Sequence, residues 1–135
     1  MRSTKTMREI KFRAWDKENK KWRHGSDFLF TDSGSVLLYD IEEGRKLPNL
    51  TGKWREDEDG NIELVQFTGL KDKNGKPIYE GDIVRRHWSG GKPEDQPVVF
   101  TEAAFMWGEG KRATGLNGNW AEVIGNIYEN PELLQ

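Results

Sequence analysis

A mainly β fold is the class this sequence predicts, on three observations. Apolar and polar residues alternate with period two in several short stretches. Tight-turn signals built on Gly and Asn separate those stretches. Helical periodicity and helix caps are scarce until the last few residues. The densest run of signals is Gln66 to Val84, QFTGLKDKNGKPIYEGDIV. There an alternating strand enters a turn-rich segment, and a Tyr-Glu-Gly-Asp step opens a second strand. Such spacing describes the entrance of a barrel and its loop, and no active site.

From the N-terminus, Ile10, Phe12 and Ala14 alternate with Glu9, Lys11 and Arg13, which predicts a half-buried strand. Asp16 to Lys21 reads as a polar turn, and Trp22 begins the return strand of a hairpin. Phe28-Leu29-Phe30 and Val36-Leu37-Leu38-Tyr39 flank a turn with Gly34 at its tip, a second hairpin. From Asp40 to Asp59 the signal weakens. Gly44, Pro48 and Gly52 interrupt it, and a short strand at Lys53 to Arg55 is the one element expected there. Ile62 to Phe67 alternates again. Asp72 to Gly75 is a tight turn, because Asn-Gly tolerates positive φ. Ile83 to Arg86 is a strand, and His87 to Pro97 a polar loop. Val98 to Trp107 predicts one or two strands and Ala121 to Tyr128 the last one. Asn130-Pro131 is an N-cap followed by an N1 proline, which predicts a short C-terminal helical turn.

Composition bounds the rest. The 135 residues suit one domain with a modest core. Only 34% of residues are hydrophobic and 33% are charged, but six Trp and six Phe argue against a disordered chain. The core should therefore rest on large rings. The formal net charge of −2 gives no global basic field for nucleic acid. There is no cysteine, which removes disulfides and thiolate metal sites and suits a reducing cytoplasm. No apolar run is long enough to span a bilayer, and MRSTKTMREI lacks the apolar stretch of a secretory signal. Residues 1–6 are expected to form a disordered N-terminal extension.

Three stretches carry a family resemblance: Lys11-Phe12-Arg13-Ala14-Trp15-Asp16, then Phe67 to Gly75 with Ile78 to Val84, and finally Val123 to Leu133. In order and spacing they resemble the YopX family of bacteriophage and prophage proteins, across nearly the whole chain from Met7 onward. The resemblance implies a single domain over 7–135. N-terminal β-hairpins (7–60) would pack on an SH3-like β-barrel (61–135). It also implies a phage or prophage gene expressed in the bacterial cytoplasm. It implies no enzyme activity, no cofactor and no catalytic residue. The shared residues have local conformational reasons. Gly81 suits a sharp turn into a strand, and Asp82 can accept backbone N–H groups there. Tyr79 offers a ring and a hydroxyl. Gly125-Asn126 marks a bulge, and Asn130 caps the terminal turn.

Chemical motifs fail on their own arithmetic. With Gly60 or Gly75 at the sixth position of a calcium loop, the first ligand would be Arg55 or Leu70, so both acidic stretches read as hairpin turns. His24 and His87 are the only histidines, and neither has ligands at metal spacing. Trp88-Ser89-Gly90 is no nucleophile elbow, and Gly90-Gly91-Lys92-Pro93 is no phosphate loop. The 23 Asp and Glu residues read mainly as a solvated surface.

What remains is binding. Arg85, Arg86, His87, Trp88 and Lys92 form a basic and aromatic cluster at a strand end, with Lys71, Lys73 and Lys76 able to extend it. Cations for phosphates and rings for bases are what small barrels offer to nucleic acid. Glu80, Asp82, Glu94 and Asp95 interleave and oppose that reading. The six Trp are too many for one small core, so some rings should be exposed, Trp88 first, while Trp15 and Trp107 pack inside. The sequence thus points to a non-enzymatic binding module, with an unknown protein partner or self-association ahead of nucleic acid, an enzyme last, and no membrane.

Overall fold

The structure is a computed structural model that describes residues 9–23, 28–41, 52–101 and 103–135. The expected extension at 1–6, His24, and residues 42–51 of the weak-signal region lie outside the described residues. The described residues are mainly strand, with two short 3-10 turns. The chain divides into two compact units: Phe12–Leu64, and Val65–Gln135 together with the N-terminal residues through Lys11.

In the first unit, β1 (Phe12–Asp16) and β2 (Lys21–Arg23) form the expected hairpin, with Trp15 opposite Trp22. The two indoles meet edge to face at 5.0 Å, and the Arg13 guanidinium lies 4.3 Å over Trp22. Asp16, expected in a polar turn, instead ends β1 and is buried. Its carboxylate accepts from the backbone and side chain of Asn19 at 3.0 and 2.9 Å and pairs with Arg23 at 2.8 Å. Burial alone would push this carboxyl up, but the bonds from Asn19 and Arg23 outweigh it and hold it below the usual range.

β3 (Phe28–Phe30), β4 (Val36–Ile41) and β5 (Gly52–Glu56) form an antiparallel sheet in that order. Phe28 and Leu38, directly opposite one another, point into a core with Ala14 and Ile62. The alternation continues on the other face, where Tyr39 stands opposite Trp54 with the rings 5.0 Å apart. Ile10, expected to face inward with Phe12 and Ala14, is 63% exposed, because β1 begins only at Phe12.

β6 (Ile62–Lys71) runs through the division between the units. Its later part pairs with β7 (Pro77–Tyr79), a short strand the sequence reading passed over. β8 (Asp82–Arg86), β9 (Glu94–Thr101), β10 (Ala104–Trp107), β11 (Thr114–Gly115) and β12 (Glu122–Asn126) form a curled half-barrel sheet in the order β11-β10-β9-β8-β12. Ile78, Val84, Val98, Trp107 and Ala121 form its core, with Trp120 and Val123 packed against it. The Trp107 indole N–H donates to the buried Val84 carbonyl at 2.9 Å, so the ring is satisfied as well as packed.

The loop expected at His87 to Pro97 is shorter than its composition suggested. β9 begins at Glu94, and Pro97 stands within it opposite Ile83. Gly81 sits at φ 86°, and a Cβ there would approach Tyr128 to 3.1 Å, so the turn into β8 needs glycine twice over. The Asp82 carboxylate accepts from the Tyr79 backbone at 2.8 Å. The register of β12 shifts between Val123 and Gly125, the bulge the Gly-Asn pair implied. The terminal 3-10 turn (Pro131–Leu134) follows Asn130 without a side-chain cap. Asn130 Oδ1 accepts instead from the Asn126 backbone at 3.2 Å, closing the bulge rather than the helix end.

Candidate binding surface at the end of β8

Residues 83 to 86 alternate across β8. Val84 belongs to the core, and Arg86 follows it on the same face as the last residue of the strand. Arg85 points to the opposite face, and the two arginines meet different fates.

Arg85 stands between Asp95 on β9 and Glu122 on β12. It makes a two-pronged bond to Asp95, with Nε 2.8 Å and Nη2 3.0 Å from the two carboxylate oxygens. That bond and the Asp95 charge hold the guanidinium above its ordinary pKa, with Glu122 adding to the effect. Arg85 is therefore a consumed cation.

Arg86 stands opposite Glu94, yet Glu94 spends its oxygens elsewhere. One accepts from the Trp88 indole at 3.3 Å and the other from Gln96 at 3.1 Å. The Arg86 guanidinium instead lies 3.8 Å over the Trp88 ring and 4.5 Å over the Trp120 ring. Trp107 carries both indoles, 6.5 Å from Trp88 and 5.1 Å edge-on from Trp120. Cation–π contact with two indoles holds the guanidinium against the rings. Among the described residues, no carboxylate lies within ion-pair distance of Arg86.

His87 reaches the far side of the patch, its Nε2 3.5 Å from Glu122. Lys73 reaches the same carboxylate at 2.9 Å. The bond from Lys73 holds the Glu122 carboxyl low against the effect of burial, with help from the Lys73 charge and from His87. Of the three lysines that could extend the patch, Lys73 is thus joined to it through Glu122. Lys71 lines a cavity of about 540 Å³ with Leu116, Asn117 and Asn119, next along the chain to Trp120. Lys76 contributes a backbone N–H to the Asp72 turn. Trp88 is 42% exposed and Lys92 is fully on the surface.

The structure accordingly brings Arg85, Arg86, His87 and Trp88 together and places Lys92 in the adjoining loop. It adds Trp120 and Glu122 to the cluster and gives Glu94 and Asp95, which in sequence merely interleave with it, roles as acceptors for Trp88 and Arg85. Only strand register could have revealed them, because Trp120 and Glu122 lie more than thirty positions downstream. Trp15 and Trp107 are buried as expected, while Trp54 joins Trp88 among the exposed rings.

A family model described as YopX protein matches residues 11–135. No curated protein matches the chain. Among solved structures, the chain resembles protein EF1440 from Enterococcus faecalis at 26% identity and a TM-score of 0.66, over 94% of this chain and 99% of that one. It resembles yopX from Bacillus subtilis at 24% identity and a TM-score of 0.64, over 96% and 100% of the two chains.

Proposed function

The chain belongs to the YopX protein family, and from that premise we propose that it is a phage or prophage accessory protein of the bacterial cytoplasm that binds a protein partner. The curled sheet serves as an SH3-like scaffold, and the contact surface is the end of β8, centred on Trp88, Arg86 and Trp120. The observation that carries this reading is the pairing of charges around an exposed ring. Arg85 is matched by Asp95, and Lys73 and His87 share Glu122. What remains is an exposed indole with a guanidinium held against it, the residue types that dominate protein interfaces when neighbouring charges are compensated.

The test is a photo-crosslinking amino acid placed at Ser89 in the full chain, expressed in the host bacterium. A nuclease-resistant protein adduct is expected from Ser89, absent from a control at Lys111 and lost with Trp88→Ala. Equal adducts from both positions would overturn the surface. Sedimentation across concentrations separates a second copy from a foreign partner, since only self-association makes the mass depend on concentration.

One observation favours a second reading. Arg86 and Lys92 face no carboxylate at ion-pair distance among the described residues, and indoles stack on any base. A single-stranded oligonucleotide would then bind at low salt and weaken steeply as salt rises. No binding at low salt removes this reading.

A further inference from the structure

We infer that Arg86 is a preset fork for one carboxylate of the protein partner, an inference that rests on the surface proposed above. Two adjacent arginines of β8 contrast. A guanidinium offers five N–H donors in a plane. In Arg85 that edge is filled by both oxygens of Asp95. In Arg86 the guanidinium carbon lies over Trp88 at 3.8 Å and over Trp120 at 4.5 Å, and no described carboxylate stands at ion-pair distance.

The nearest internal candidate is Glu94, directly across the strand pair, and both its oxygens are engaged, by Trp88 and Gln96. The Trp88 indole thus does two things at once: it supports the guanidinium and holds the competing carboxylate. Trp120 is anchored in turn, because it packs on the core and meets the buried Trp107 edge-on. A long, flexible side chain is therefore immobilised before any ligand arrives, which lowers the entropy cost of binding.

Charge decides between carboxylate and polyphosphate. The patch carries Arg85, Arg86, Lys92 and Lys73 against Asp95, Glu94 and Glu122, four cations to three anions, His87 aside. A single uncompensated charge suits one oxyanion. It does not suit a nucleic-acid backbone, whose affinity grows with the number of phosphates neutralised. A planar carboxylate matches the guanidinium edge in two parallel bonds.

The experiment follows the Arg86 Nε–H and the Trp88 and Trp120 indole N–H signals by NMR in the full chain. The probes are the acetylated, amidated tripeptide Gly-Glu-Gly, its Gly-Gln-Gly counterpart, and an eight-residue thymidine oligonucleotide. The acidic tripeptide is expected to shift these signals saturably, with a Kd on the order of millimolar for one charge-assisted pair. The Gln peptide should leave them unmoved. Arg86→Lys keeps the charge but loses the planar fork, and should weaken binding about tenfold, whereas Lys111→Gln, outside the patch, should change it by no more than about twofold. Glu94→Gln should bind at least as well as the unaltered chain, since Glu94 competes for the fork.

No saturable shift, or binding retained in Arg86→Lys, would overturn the assignment. A clear preference for the oligonucleotide would overturn it in favour of phosphate. The Ser89 crosslink separates this from the broader reading. An adduct that survives Arg86→Lys removes only the fork, while no adduct in the unaltered chain removes the surface itself.

Discussion

The turn at Asp72 and the strand end at Arg86 are both polar clusters and use their hydrogen-bonding groups in opposite ways. At the turn, hydrogen-bonding capacity is spent internally. Asp72 Oδ1 accepts from the backbones of Asn74 and Lys76, both at 2.9 Å, and Oδ2 accepts from Val123, 51 residues away, at 3.0 Å. At the strand end, rings and a guanidinium hold one another and leave surface over. A polar cluster that satisfies itself is scaffold, and one that stops short of doing so is available for a partner. The densest run of signals in the sequence, Gln66 to Val84, contains the turn and leads to the strand end, and apart from Lys73 it belongs to the scaffold.

The sharpest break in this comparison is Asp72→Ala. Three backbone N–H groups lose a charged acceptor, among them that of Val123 on β12. A loss of about 2–4 kcal/mol of unfolding free energy is expected, read by denaturant titration. A value under about 1 kcal/mol would mean that the turn is not the scaffold described.

Gly118→Ala comes next. A Cβ at this position would run into the Lys71 carbonyl, which is backbone and cannot swing aside. A loss of about 1–3 kcal/mol is expected from forced displacement of the loop, measured in the same way.

The Asp72 carboxyl also sets a pH dependence. Burial would raise it, but the bonds from Val123, Lys76 and Asn74, with the Lys76 charge, hold it below the ordinary carboxylate value of 3.8. A carboxyl lowered on folding stabilises fully above its unfolded pKa, and the contribution disappears as pH falls through the lowered folded value. Asp16 behaves in the same sense. Melting temperature should therefore fall as pH drops from about 5 toward 2. Asp72→Asn should start lower and fall less steeply over that window, and an equal slope would exclude Asp72 as a contributor.

Much of the scaffold was legible because its causes are local. Asn74-Gly75 and Gly81-Asp82 specify turns within a few residues, and period two at Ile62 to Phe67 specifies a strand. The cluster at Arg85 to Trp88 was visible too, as neighbouring cations and a ring. Its use was not. Whether Arg85 is spent depends on Asp95 lying opposite it, and whether Arg86 is held depends on Trp120, which only the β8–β12 pairing brings near. The start of β9 was hidden for a related reason. Glu94 to Gln96 are polar, and Pro97 argues against strand from sequence alone, although it pairs with Ile83.

The smallest stability effect, and the one that most sharpens the comparison, belongs to Trp88→Ala. The ring is 42% exposed, sits 6.5 Å from Trp107, and contributes one long indole hydrogen bond of 3.3 Å to Glu94. Removing it leaves the buried Trp107 bond to Val84 intact and should cost no more than about 1 kcal/mol. The same substitution frees Glu94 and removes one of the two rings against Arg86, so Glu94 can turn to the guanidinium across the strand pair. The Arg86 Nε–H signal should then shift toward that of a paired guanidinium, with no added ligand, while the folded spectrum of the turn residues Asp72 to Lys76 stays unchanged. A large loss of stability would place Trp88 with the scaffold and erase the distinction between the two regions. A small loss with an unmoved Arg86 signal would mean that Trp88 does not hold Glu94 away from the fork.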